Sequence, residues 1–236
     1  MSNPVAGAVV VTDHQRGGYG RHGRAWEMSP GQTLAVSCAT PAPASNLWGW
    51  VPLVTGMAVV RSLRESKYPI VATLKWPNDV LVPEEAGANP RNTGKIAGIL
   101  AQVGPESADR GPLVVIGTGL NINQSNAELP VETATSWRVA RGGEKLPATL
   151  AQDWLTAYLQ ELDRGLTQLE HDPAGVALDY ASMCHTLGQD VRVHLPGGDE
   201  AIGTAIDIDA SGALVIEGRE GRSVHHAGDV VHLRPR

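Results

Sequence analysis

Val71-Ala72-Thr73-Leu74-Lys75-Trp76-Pro77-Asn78-Asp79-Val80-Leu81-Val82 is the stretch whose reading decides the fold. Val71–Trp76 reads as a strand, Pro77-Asn78-Asp79 as a turn, and Val80–Val82 as a second strand. Residues 83–94 form a hydrophilic connection, a hairpin tip or insertion, and Lys95–Val103 returns as a strand. After a polar loop at 104–112, Leu113–Ile122 is another apolar strand, ending in Asn121 and Asn123. Two lysines, Lys75 and Lys95, thus sit beside successive strands.

Upstream, Ala8–Thr12 is valine-rich and is expected to be a buried strand, with Leu34–Cys38 as another. Asn46–Ser66 predicts a helix, because Leu47, Trp50, Val51, Val54, Met57, Ala58 and Leu63 recur at helical spacing, with Pro52 near its start. Downstream, residues 124–146 lack periodicity and are expected to be surface loops. Pro147–Leu169 is an amphipathic helix with Leu150, Trp154, Leu155, Tyr158, Leu162 and Leu166 on one side, and Pro173–Met183 a further helix. Beyond Gly188 the helical signal stops. Val191, Val193 and Leu195 alternate, and Ala201–Ile208 and Ala213–Ile216 flank a hairpin signature at Asp209-Ala210-Ser211-Gly212. A main domain over 1–187 and a small β-barrel-like domain over 188–236 are predicted.

The 236 residues carry a formal net charge of −6, so the surface as a whole does not suit nucleic acid. Between those strands and the chain start the charge is uneven. Arg16, Arg21, His22 and Arg24 share one segment with Gly17, Gly18, Gly20 and Gly23, and no acid appears until Glu27. Glycines let a backbone approach a ligand closely, and the arginines suit an anion. Cys38 and Cys184 form no metal pattern and read as buried thiols of a reducing compartment. His225 and His226 are adjacent, point opposite ways in a strand and make a poor metal pair, so no metal ligands are assigned. With no signal-peptide pattern and no apolar run of membrane-spanning length, the chain reads as cytoplasmic, with no membrane partner.

Four segments together carry a resemblance: Gly17-Gly18-Tyr19-Gly20-Arg21-His22-Gly23-Arg24, Lys75-Trp76-Pro77-Asn78-Asp79, Lys95-Ile96-Ala97-Gly98-Ile99-Leu100 and Gly117-Thr118-Gly119-Leu120-Asn121-Ile122-Asn123. Their order, with Gly203–Leu214 and Gly228–Arg234 near the C-terminus, resembles the biotin–protein ligases over nearly the whole chain. The resemblance implies an α+β fold, a mixed β-sheet flanked by helices as in class II aminoacyl-tRNA synthetases, followed by a small SH3-like β-barrel. It implies that biotin and ATP, with Mg2+, give biotinyl-5′-adenylate, and that a lysine of a biotin carboxyl carrier protein or domain of an acyl-CoA carboxylase then takes the biotin. The catalytic cations would be Arg21, Lys95 and Lys75. Gln15, Gly18, Tyr19, Gly20, Arg21 and Lys95 would meet biotin. Arg21, Arg24, Trp26, Asn78, Asp79 and Asn121 would lie on the adenylate side.

Two departures from the family pattern stand out. Tyr19 occupies the place of the first arginine of the Gly-Arg-Gly-Arg-x-Gly-Arg loop. The family also has catalytic-domain residues ahead of the strand at Ala8, including a Ser/Thr-Thr-Asn segment, which residues 1–7 do not supply. The resemblance therefore implies an N-terminally truncated catalytic domain, without a DNA-binding helix-turn-helix or repressor role, as a monomer or homodimer. Two other functions compete: a lipoate or octanoate ligase, and a catalytically impaired fragment that binds the carrier.

Overall fold

The structure is a computed structural model that describes residues 5–83, 94–104, 111–195 and 197–233. Most of the two polar loops expected at 83–94 and 104–112 lies outside the described residues.

In chain order the first part holds β1 (Val9–Thr12), β2 (Gly18–Tyr19), β3 (Ala25–Trp26), β4 (Thr33–Pro41), α1 (Trp50–Arg64), β5 (Thr73–Lys75), β6 (Asp79–Val82), β7 (Gly94–Val103) and β8 (Leu113–Asn121). The helices α2 (Trp137–Ala140), α3 (Leu150–His171) and α4 (Pro173–Met183) follow. The last part is β9 (Asp190–His194), β10 (Glu200–Ile208), β11 (Leu214–Gly218), β12 (Gly221–His225) and β13 (Asp229–His232).

Six strands form one sheet in the order β1-β4-β8-β7-β6-β5. A mixed sheet was expected, yet each of these pairings is antiparallel. The reason is local: β5 to β8 follow one another along the chain and each pairs with the next, as successive antiparallel strands do. Among the described residues, parallel pairing occurs only as the single bridges Leu74↔Cys184 and Lys95↔Ala134.

One face of the sheet is dry. In β4, Leu34, Val36 and Cys38 alternate inward, as a period of two requires. Against this face packs α1, buried on nearly every side, and α3 lays its Leu150, Trp154, Tyr158, Leu162 and Leu169 stripe beside it. The hydroxyls of Thr118 on β8 and Tyr158 on α3 pair at 2.8 Å and tie helix to sheet.

Two expectations are corrected. The valines of β1 are not buried: Val10 is 66% exposed, and β1 ends the sheet, paired only with β4 among the described residues. Composition marks a strand but not whether it lies at an edge. Residues 124–146 are not all surface loop either. Gln124, Ala134, Thr135, Ser136, Trp137, Val139 and Leu146 are buried, and α2 lies among them. Side-chain hydrogen bonds organise this stretch in place of apolar periodicity. Ser136 caps α2 by accepting from Val139 N, and its hydroxyl donates to Gln124 O.

The C-terminal strands form a separate antiparallel sheet in the order β12-β11-β10-β9-β13. The expected hairpin at 209–212 joins β10 to β11. Asp209 Oδ1 accepts from Ser211 N and Ala213 N, and Gly212 takes φ +84°, a region glycine tolerates best. Val191, Val193, Ala205, Ile208, Leu214, Ile216 and Val230 from this sheet join the main core in one apolar cluster.

Candidate active site

The other face of the six-stranded sheet is open, and glycine opens it. Gly98 on β7 and Gly119 on β8 are cross-strand partners. A Cβ built on Gly119 would come within 2.6 Å of Trp26 Cζ2 and Nε1, and one on Gly98 within 3.2 Å of Trp26 Cζ3. The indole of Trp26 therefore lies against the sheet backbone, where any larger residue would push it away. Its Nε1 is shielded and has no hydrogen-bond partner among the described residues.

Lys95 runs along the same face. Its Nζ lies 5.7 Å from the centre of the Trp26 ring and 2.6 Å from Asp79 Oδ1. Asp79 opens β6 directly after the turn at Pro77-Asn78. That turn is fastened to β7: Asn78 Nδ2 donates to Ile99 O, and Ile99 N donates to Asn78 O, both at 2.9 Å.

The glycine-arginine segment folds over this face. It is not plain coil, as β2 and β3 pair into a minimal hairpin, Gly18 with Trp26 and Tyr19 with Ala25. A tight turn over Arg21–Gly23 closes it, with His22 and Gly23 at positive φ. Arg21 Nη1 donates to Asn78 Oδ1 at 3.2 Å and to Gly228 O at 3.1 Å. Burial draws the Arg21 guanidinium below its ordinary pKa, against the pull of Asp229 and Asp79. Arg24 Nη2 donates to both carboxylate oxygens of Asp229 at 2.7 Å.

Lys75 is also held in this group. Burial lowers its pKa first, with Lys95 and Arg24 adding to the effect and Asp79 and Asp229 opposing it. Its ammonium forms no ion pair among the described residues. Four cations, Arg21, Arg24, Lys75 and Lys95, thus gather around two carboxylates, Asp79 and Asp229. The excess positive charge over an aromatic surface suits an anionic ligand with a flat, unsaturated part.

Three other predicted residues sit differently. Tyr19 is 68% exposed. Gln15 is exposed and folds back on the hairpin, its Oε1 2.7 Å from where a Cβ on Gly18 would stand. Asn121 is buried, 4% exposed, and its amide is already used: Nδ2 donates to Thr135 O, and Oδ1 accepts from Gln124 Nε2.

Sequence reasoning missed several contributors. Gly98 and Gly119 carried a usable signal, because glycine inside a strand marks close approach. The pairing of Gly228 and Asp229 with the arginines carried none, since they stand more than 200 residues apart in sequence. His232 was also missed. Burial, then nearby Lys75 and His185, push its imidazole down to about 4. Its Nε2 lies 3.2 Å from Thr186 Oγ1, which accepts a hydrogen bond from Trp76 N at 3.1 Å. The carboxylates do not form a metal cage. Asp79 pairs with Lys95 and Asp229 with Arg24, and no group of three potential ligand residues occurs among the described residues. No helix of the described residues is long and apolar enough to cross a membrane.

Residues 1–121 match the model of the biotin/lipoate A/B protein ligase family, and residues 186–233 match the biotin protein ligase C terminal domain. The chain belongs to this family, on the biotin protein ligase side. It is 34% identical to the biotin–[acetyl-CoA-carboxylase] ligase of Mycobacterium tuberculosis, over 98% of this chain and 80% of that protein. It is 29% identical to the bifunctional ligase/repressor of Bacillus subtilis, over 97% of this chain and 67% of the relative. Among solved structures, the biotin protein ligase of Aquifex aeolicus in complex with biotin and ATP superposes with a TM-score of 0.76. That match is 26% identical and covers 99% of this chain and 92% of that one.

Proposed function

We propose that this chain joins biotin to a carrier protein in two steps, of which the first consumes ATP. In the first, a biotin carboxylate oxygen attacks the α-phosphorus of ATP, and pyrophosphate leaves with the electrons of the broken P–O bond. In the second, the ε-amine of a carrier lysine attacks the acyl carbon of biotinyl-5′-adenylate. An amide forms, AMP departs, and the amine gives up a proton. The observation that carries this reading is the cluster of Arg21, Arg24, Lys75 and Lys95, with Lys95 beside Trp26 on the glycine-lined face. Both reactants of the first step are anions, and cations fixed in advance offset their repulsion.

Charge grows on the phosphate oxygens during the attack, so Arg21, Lys95 and Lys75 stabilise the transition state more than the ground state. Arginine suits the phosphate because its planar fork holds two oxygens at once. Gln15, Gly18, Tyr19 and Gly20 are assigned to the biotin side, and Arg24, Trp26, Asn78 and Asp79 to the nucleotide. Asn121 serves the nucleotide side by holding the end of β8 in shape. In the second step, the same positive field favours the neutral amine of the incoming lysine. Magnesium is assigned to ATP as its companion ion, and no step is routed through it.

The finer architecture belongs to the same reading: a catalytic domain over 1–187 and an SH3-like barrel over 188–236. The carrier is a biotin carboxyl carrier domain of an acyl-CoA carboxylase. The test is biotin-dependent formation of acyl-adenylate from ATP and Mg2+, with lipoate and octanoate in parallel, followed by addition of a carrier domain read by intact mass. Adenylate and a biotin-sized mass gain support the reading. Activity with lipoate or octanoate alone reassigns the acid, and a folded chain that activates none of the three refutes the reading.

A further inference from the structure

We propose that Asp229, with the carbonyl of Gly228, is a positioning residue for the nucleotide phosphate, anchoring the arginine hairpin from the C-terminal sheet. The inference rests on the adenylate-forming reading above and adds a residue to it. The hairpin has little else to hold it. Its strands are two residues each, no residue of the Arg21–Gly23 turn is buried, and the loop is closed by two backbone bonds, Gly20 N to Arg24 O at 2.7 Å and Arg24 N to Arg21 O at 3.3 Å. The C-terminal sheet supplies the missing restraint. Arg24 is gripped by both oxygens of Asp229, and Arg21 Nη1 is shared by Gly228 O and Asn78 Oδ1, with Asp229 Oδ1 4.0 Å away.

The consequence for Arg21 is orientation. One corner of its guanidinium is committed to the protein, while Nε and Nη2 make no hydrogen bond among the described residues. A fork held by one corner presents the remaining two donors in a fixed plane, the geometry that grips two phosphate oxygens. The position of the Gly228 carbonyl is itself constrained. A Cβ at residue 228 would run into the Val193 side chain and approach His194 O to 3.2 Å. Asp229 adds negative charge to an anion site, so its contribution is geometric: it pins Arg24 and thereby aims Arg21.

The test compares wild type with Asp229→Asn, Asp229→Glu, Arg24→Ala and the double variant Arg24→Ala/Asp229→Asn. ATP binding is measured by calorimetry with Mg2+, adenylate formation by steady-state kinetics, and trypsin cleavage after Arg21 and Arg24 by mass spectrometry. Asp229→Asn is expected to weaken ATP binding and raise its KM about tenfold, since a small misplacement of a positioned group is costly. The melting temperature should stay unchanged and cleavage should speed up. Asp229→Glu should recover most of the affinity, and the double variant should be no worse than Arg24→Ala alone, because both act through one pair. Unchanged or tighter ATP binding in Asp229→Asn overturns the proposal, and so does unchanged cleavage. If wild type forms no biotinyl-adenylate, the functional reading fails separately, and cleavage still decides whether Asp229 anchors the hairpin.

Discussion

Gly119→Ala is the smallest change that should damage the site without touching a charge. A methyl at that position would stand 2.6 Å from Trp26 Cζ2 and Nε1. Carbon atoms rest at about 3.5–4.0 Å, so the indole must retreat by roughly 1 Å. Trp26 is only partly buried and can lift toward solvent, so the cost to stability should stay near the low end of overpacking, about 1 kcal/mol. The cost to chemistry should be larger, because a displacement of about 1 Å in a positioned group can lower rates about 100-fold. Gly98→Ala provides a graded comparison. Its methyl would meet Lys95 Nζ and Cε at 3.0 Å, the flexible end of a side chain, and Trp26 Cζ3 at 3.2 Å. The assay is kcat/KM for biotin-dependent pyrophosphate release, with thermal melts on the same samples. The expected order is wild type, then Gly98→Ala, then Gly119→Ala. A folded Gly119→Ala protein within about threefold of wild type would refute Trp26 as part of the ligand surface.

Other outcomes follow from the same geometry. Lys95→Ala removes the cation beside Asp79 and should lower adenylate formation by about 100- to 1000-fold, read as pyrophosphate release at saturating biotin and ATP. Near-normal turnover would exclude Lys95 from the chemistry. His232 should make stability depend on acid. As pH falls below about 6.5, the unfolded chain takes up a proton that the folded imidazole refuses until about 4. Stability should therefore decline through that window and level off beneath it. Melting temperatures of His232→Gln should lose this part of the pH dependence, and parallel curves for the two proteins would count against it.

Much of the fold was legible because it rests on periodicity. The α1 and α3 stripes, the strands around Trp76 and the 209–212 hairpin all follow from spacing and turn chemistry. The candidate site was legible where charge and glycine cluster in sequence, as at Arg21, Lys75 and Lys95. What escaped was of three kinds. The exposure of β1 depends on its place at the end of the sheet, which no local pattern encodes. The order of residues 124–146 comes from polar side chains bonding to backbone, as Asn123 does with Leu146 in both directions at 3.0 and 2.9 Å. Asp229 joins the arginines only through the docking of two sheets.

That docking has a further consequence. The turn at 209–212 inserts beside the start of α1, where Trp50 Nε1 donates to Ala210 O and Trp76 Nε1 donates to Gly212 O, each at 3.0 Å. Both indoles are among the most deeply buried side chains of the larger part, yet their only polar atoms find partners in the smaller one. Were the last fifty or so residues to peel away, two interior donors would exchange their acceptors for water while apolar surface opened, each lost bond costing roughly 0.5–1.5 kcal/mol. The two sheets are thus bound into a single cooperative unit, and the C-terminal one acts less as an appendage than as the cap that closes the core.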